Sequence, residues 1–176
     1  MDKKKTLKEE LGLADGYKNL IINDKNYVLR VPSAIEQIRL EDDSSDLNGN
    51  MDTYTYIAGI LKLVSPELQI KDVVVRKSSE VKTKNITLNF SKLTPEKAFK
   101  IILNGSKMGL DSNGETVMKV NQAGMLEDIF ANSDDKVKIG STTKNDLKEI
   151  LKQFQELFDV EGAMKVYDTF QQSVQD

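Results

Sequence analysis

The period of the apolar positions changes several times along the chain. Tyr17–Ile22 and Tyr27–Val31 are short β-rich runs on either side of the polar loop Asn23–Asn26, a spacing that predicts an N-terminal β-hairpin. Pro32 closes the second run, and Ser33 is placed to cap a helix whose inward face would carry Ile35, Ile38 and Leu40. Asn48-Gly49 marks a tight turn, after which Asp52 or Thr53 can cap a helix with Tyr54, Ile57, Ala58, Leu61 and Val64 on one stripe, stopping at Ser65-Pro66. Lys77–Asn85 reads as an exposed loop or hairpin tip, and Ile86–Phe90 alternates as a strand with Ile86, Leu88 and Phe90 facing inward.

Thr94-Pro95-Glu96 starts a helix that carries Phe99, Ile102 and Leu103 on one face and ends at Gly105. Asp111–Gly114 is another turn, and Val117–Ala131 reads as a helix weakened by Gly124. Residues 132–141 are polar and charged, with Gly140 among them, and read as a linker. Beyond it Thr143 caps a strongly amphipathic helix, and a second stripe with Met164, Tyr167, Phe170 and Val174 follows an interruption at Asp159–Gly162.

The pattern as a whole predicts an α+β fold: a small N-terminal β-hairpin or sheet packed with four or five helices, then a C-terminal helical hairpin. The expected division is a flexible N-terminal arm over 1–16, an α+β domain over 17–131, a linker over 132–141 and the hairpin over 142–176. The arm has room for a short helix from Thr6 with Leu7, Leu11 and Leu13. The hairpin's stripe, Leu147, Ile150, Leu151, Phe154, Leu157, Phe158, Tyr167 and Phe170, has two readings. It packs onto its own domain, or it covers an apolar surface on a partner or a second copy.

Composition narrows the chemistry. The 176 residues contain no cysteine and no histidine. The first absence removes disulfides, thiolate metal sites and a cysteine nucleophile, and suits a reducing compartment such as the cytoplasm. The second removes the commonest general base and transition-metal ligand, so an enzyme here would have to work with carboxylates, lysines, tyrosines or hydroxyls. No apolar run approaches the ~20 residues of a membrane span. Net charge is only −3, yet Lys71–Lys107 holds nine basic residues against three acidic ones, while Glu41–Asp52 holds five acids and no base. Such polarity can steer association.

Four constellations invite sharper readings, and each has a plainer one. Asp46–Gly49 and Asp111–Gly114 share an Asp-x-Asn-Gly turn that resembles part of a calcium loop. Aligned on the glycine, however, the opening ligand positions hold Ser44 and Gly109, and the bidentate-glutamate positions hold Thr55 and Val120. Glu41, Asp42, Asp43 and Asp46 lack apolar neighbours to bury them, which reads as a solvated acidic loop rather than a carboxylate site. The basic stretch interleaves only Phe90 and Phe99, both core candidates, which argues against nucleic acid as a partner. The glycines form no phosphate-binding fingerprint. These residues point to no cofactor, no metal and no catalytic group, and therefore to protein binding.

From Tyr27 to about Val75 the order is a strand, Val31-Pro32-Ser33, an isoleucine-bearing helix ending in acids, Asn48-Gly49-Asn50, a tyrosine-containing helix ending at Leu63-Val64, Pro66, and Lys71-Asp72-Val73. This segment resembles the tail assembly chaperones of long-tailed phages and prophages of Gram-positive bacteria. The resemblance implies a small, non-enzymatic protein of the host cytoplasm that holds the tape measure protein and brings tail tube subunits to it, leaving before the virion is finished. The strand at Ile86–Phe90 and the residues that follow through Asn132 have no place in that pattern. The runner-up readings are a stable structural or connector subunit of a phage-like tail and, third, a carboxylate-dependent hydrolase.

Overall fold

A computed structural model describes residues 16–175. The N-terminal arm ahead of Gly16, with its expected short helix, lies outside the described residues. The described residues begin with the expected hairpin, β1 (Tyr17–Ile22) antiparallel to β2 (Lys25–Arg30), with Tyr17 opposite Arg30 and Ile22 opposite Lys25. The connection is tighter than the four residues read from sequence. Asn23 and Asp24 both take positive φ, 49° and 62°, a conformation their short polar side chains tolerate, so Lys25 and Asn26 join the ladder. Leu20, Ile22, Tyr27 and Leu29 face the core, leaving Tyr17, Ile21 and Val28 on the outer face.

Helix α1 (Ala34–Ser44) starts at Ser33, whose backbone N–H and hydroxyl both donate to Glu36 Oε2, at 2.9 and 2.8 Å. Arg30 closes on the same carboxylate with both guanidinium nitrogens, at 3.0 and 2.9 Å. The expected inward face of this helix is corrected. Ile35 and Ile38 are 54% and 52% exposed, and Leu40 alone turns in, over the bare backbone of Gly59. At 100° per residue Leu40 stands about 140° from Ile35 and about 160° from Ile38, so one face cannot hold all three.

The bond from Arg30, then those from the Ser33 backbone and hydroxyl, pull the Glu36 carboxyl down to about 2 from an ordinary 4.5. Because the folded-state value is depressed, the stabilisation is full above 4.5, declines below it and is gone once pH has passed through about 2. Glu36→Gln is therefore expected to melt below wild type at neutral pH, with the two thermal midpoints converging as pH approaches about 2. A gap that persists in acid would refute the assignment.

Helix α2 (Thr53–Val64) is the centre of the molecule, packing against α1 and two later helices. Asp52 caps it by accepting from Thr55 N at 2.7 Å, and Tyr56, Ile57, Ile60, Leu61 and Val64 are buried, a wider stripe than expected, with Tyr54 and Ala58 half-buried at its edge. A single-turn helix α3 (Ile70–Val73) leads to β4 (Val75–Arg76). The stretch 77–85 contains β5 (Glu80–Lys82), paired with β6 (Thr87–Asn89), and Val81, Leu88 and Phe90 are buried. Helix α4 (Pro95–Asn104) follows, with Thr94 accepting from Lys97 N at 3.3 Å and Phe99 fully buried.

The next region departs most from the sequence reading. Residues 117–120 are not helical: β7 (Ser106–Leu110) and β8 (Thr116–Val120) form a hairpin, joined by β3 (Met51–Asp52) in the order β3-β7-β8. The Asp111–Gly114 turn was legible, but what it closes is a hairpin. Asp111 Oδ1 accepts from Asn113 N and Glu115 N at 2.8 and 2.9 Å, and Gly114 supplies φ 79°. The helix, α5 (Gln122–Asn132), starts only after Asn121, whose Oδ1 accepts from Gly124 N at 3.0 Å.

The expected linker is a strap. Asp134 Oδ2 accepts from Ser91 N and Oγ at 2.7 and 2.6 Å, Asp135 Oδ2 accepts from Asn89 N and Nδ2 at 2.6 and 3.1 Å, and Val137 and Ile139 pack on the core. Helices α6 (Lys144–Glu156) and α7 (Glu161–Gln175) then close the molecule. Between them β9 (Phe158–Asp159) pairs with β4, and Gly162 lies so close to α3 that an added Cβ would stand 2.7 Å from Val73 O. A single apolar cluster runs from Ile22 to Phe170, so 17–131 and 142–176 share one core instead of forming separate units.

Candidate docking surface

The eight residues of the C-terminal stripe face inward. Ile150, Phe154, Leu157, Phe158 and Phe170 are buried, and Leu147, Leu151 and Tyr167 pack half-buried against them, Tyr167 edge-on to Tyr56 with ring centroids 6.5 Å apart. The first of the two sequence readings therefore describes this stripe: it packs on its own domain, and five of its residues could reach a partner only if the fold opened.

The apolar side chains left outside lie elsewhere. Tyr17, Ile21 and Val28 project from the outer face of the β1–β2 hairpin, and Ile35 and Ile38 from the outer face of α1. The forked Arg30–Glu36 pair links the two elements, since Arg30 lies across the ladder from Tyr17 and Glu36 sits on α1 beside Ile35. Both groups are about one-third exposed, so the pair acts as a geometric clamp more than a source of stability. It fixes the roll of α1, and with it the direction of Ile35 and Ile38. The angular arithmetic available in the sequence separates Leu40 from these two isoleucines, and the packing of Leu40 over Gly59 is what puts them on the surface.

The acidic end of α1 borders this face. Asp46 is occupied by its own loop: Oδ1 accepts from Asn48 N and Asn50 N, both at 2.9 Å, and these bonds, led by that from the Asn50 backbone, lower its pKa. Asp43, Asp46, Asp52 and Lys107 line a shallow hollow of about 240 Å³ together with Ser44, whose buried hydroxyl has no hydrogen-bond partner among the described residues. Among the described residues no group of three or more acids is placed to hold a metal ion. A second groove, about 470 Å³, lies between the end of α2, α3 and the start of α4, and its charged side chains, Lys62, Lys71 and Glu96, include no pair of acids.

The lysines of the basic stretch are solvent-exposed on α3, β5, the β5–β6 turn, α4, β7 and the loops between them, while Arg76 turns into the protein. Phe90 and Phe99 are fully buried, which leaves neither for base stacking. Among the described residues no helix is long and apolar enough to cross a membrane. Compared with known proteins, the chain matches no family model, no curated protein and no solved structure.

Proposed function

We propose that this chain is a non-enzymatic protein-binding factor, acting as a phage tail assembly chaperone in the bacterial host cytoplasm. The observation that carries the reading is the outward presentation of Ile35 and Ile38 on a helix whose roll is clamped by Arg30 and Glu36. Two aliphatic side chains half-exposed on one helix face make an apolar surface that a partner helix can cover. Val28, Ile35 and Ile38 fall inside the segment 27–75 that resembles tail assembly chaperones, so the resemblance and the exposed face coincide. The acids that follow on α1, Glu41, Asp42 and Asp43, would favour a partner with basic residues beside its apolar stripe. In this reading the partners are the tape measure and tail tube proteins.

The test is co-expression with the tape measure protein of the same phage or prophage, followed by pull-down. Ile35→Glu combined with Ile38→Glu is expected to weaken capture at least tenfold while the circular dichroism spectrum stays unchanged, because neither side chain contributes to the core. Undiminished capture by the double variant would remove this face from the interaction. Stoichiometric presence of the protein in purified particles, read by mass spectrometry, would replace the chaperone with a structural subunit.

A further inference from the structure

A second surface stands apart from the hairpin and α1, and its recognition chemistry is that of a β-edge. Within the described residues β8 is the outer strand of the β3-β7-β8 sheet, with β7 on one side and no strand on the other. Just outside the ladder, Asp111 N donates to Glu115 O and Asn121 N donates to Gly105 O, which sets the parity of the pairing. Val117 and Lys119 accordingly turn their backbone groups toward β7, and Thr116, Met118 and Val120 turn theirs outward. The same strand carries an uncovered apolar face: Leu110, Met118 and Val120 are 72%, 63% and 49% exposed and, by register, lie on one side of the sheet. Lys119 lies opposite Lys107 on the reverse side, so it does not guard this face.

We propose that β8 pairs antiparallel with β8 of a second copy, about a two-fold axis at Met118. In that register Thr116 meets Val120 of the other copy, Met118 meets its equivalent, and the outward backbone groups of all three face each other as hydrogen-bonding pairs. Lys119 is then opposite Val117 rather than another lysine. The apolar faces of the two sheets join into one.

Charge distinguishes a second copy from an arbitrary strand. The β7–β8 turn, Asp111–Glu115, carries two acids and no base, and it directly precedes Thr116. Antiparallel pairing carries this turn past Val120 of the other copy, where Lys148 and Lys152 border a hollow of about 320 Å³ that Val120 also lines. The contact occurs twice by symmetry, acid to base each time. The pairing is independent of the chaperone reading, because it uses none of the residues on the α1 face.

Sedimentation equilibrium of the full chain at low ionic strength tests the proposal. Wild type is expected to form a dimer whose population rises with concentration. Met118→Lys places two cations at the axis and is expected to weaken dimerisation at least tenfold without moving the thermal midpoint of the monomer. Glu115→Lys and Lys152→Glu are each expected to weaken it too, while an equimolar mixture of those two variants recovers a dimer containing one of each, since every turn then meets the opposite charge. A protein that stays monomeric at all concentrations, an association that Met118→Lys leaves intact, or a mixture that fails to recover would each overturn it.

Discussion

Phe154→Ala is expected to lower the free energy of unfolding by about 3–5 kcal/mol, the cost of removing a fully buried aromatic ring. Phe154, on α6, meets Phe90, beyond β6, edge to face with ring centroids 5.3 Å apart and planes at 69°. This contact joins the part of the chain expected to fold as 17–131 to the part expected to stand apart as a hairpin. Chemical denaturation followed by far-ultraviolet circular dichroism should give one transition for wild type and one, at lower denaturant, for the variant. Phe90→Ala should behave alike, and the double variant should reveal a coupling of about 0.5–1.5 kcal/mol beyond the lost burial. A loss below about 1 kcal/mol, smaller than core truncations give, or two separable transitions, would mean that α6 and α7 are not part of the common core.

Arg76→Ala is expected to cost about 2–3 kcal/mol, from two charge-assisted hydrogen bonds lost at once. Arg76 Nη1 donates to Phe90 O at 2.9 Å and Nη2 donates to Leu93 O, while the guanidinium carbon stands 4.9 Å from the centre of the Phe158 ring. One side chain thus ties the turn after β6 to the β4–β9 pair. Arg76→Lys should recover less than half of the loss, because an ammonium cannot fork to two carbonyls or stack on the ring. Full recovery by lysine would show that charge, rather than the fork, is what the site uses. Both variants can be read in the same denaturation experiment.

The parts of this fold that were legible in the sequence are those whose signals are local. Thr94-Pro95 and Thr143 start α4 and α6 where the capping chemistry places them, and Asn23-Asp24 turns the first hairpin. The α1 roll was not legible as read, because isoleucines three apart suggest an inward face whatever the position of Leu40. Val117–Val120 merged with the following helix because a five-residue strand is too short for its period to outweigh the longer helical stripe behind it, and its partner, Ser106–Leu110, has no alternation of its own. The strap was missed because its attachments, Asp134 to Ser91 and Asp135 to Asn89, join residues more than forty positions apart. The C-terminal stripe kept two readings in the sequence for a related reason. Amphipathicity measures how apolar a stripe is and is silent about what covers it, so the strongest stripe proved to be core and the exposed face came from a helix of weaker pattern.

The two-residue ladder between β4 and β9 has a kinetic implication. It brings Val75 and Arg76 against Asp159 and Phe158, more than eighty positions later in the chain, and Val74 beside it is completely enclosed. Closing so long a span before any contact rewards it slows the search for the native arrangement. During synthesis the apolar surfaces of α2 and β6 must wait for α6 and α7 before they are shielded, so the nascent polypeptide spends that interval vulnerable to aggregation and dependent on whatever first covers it.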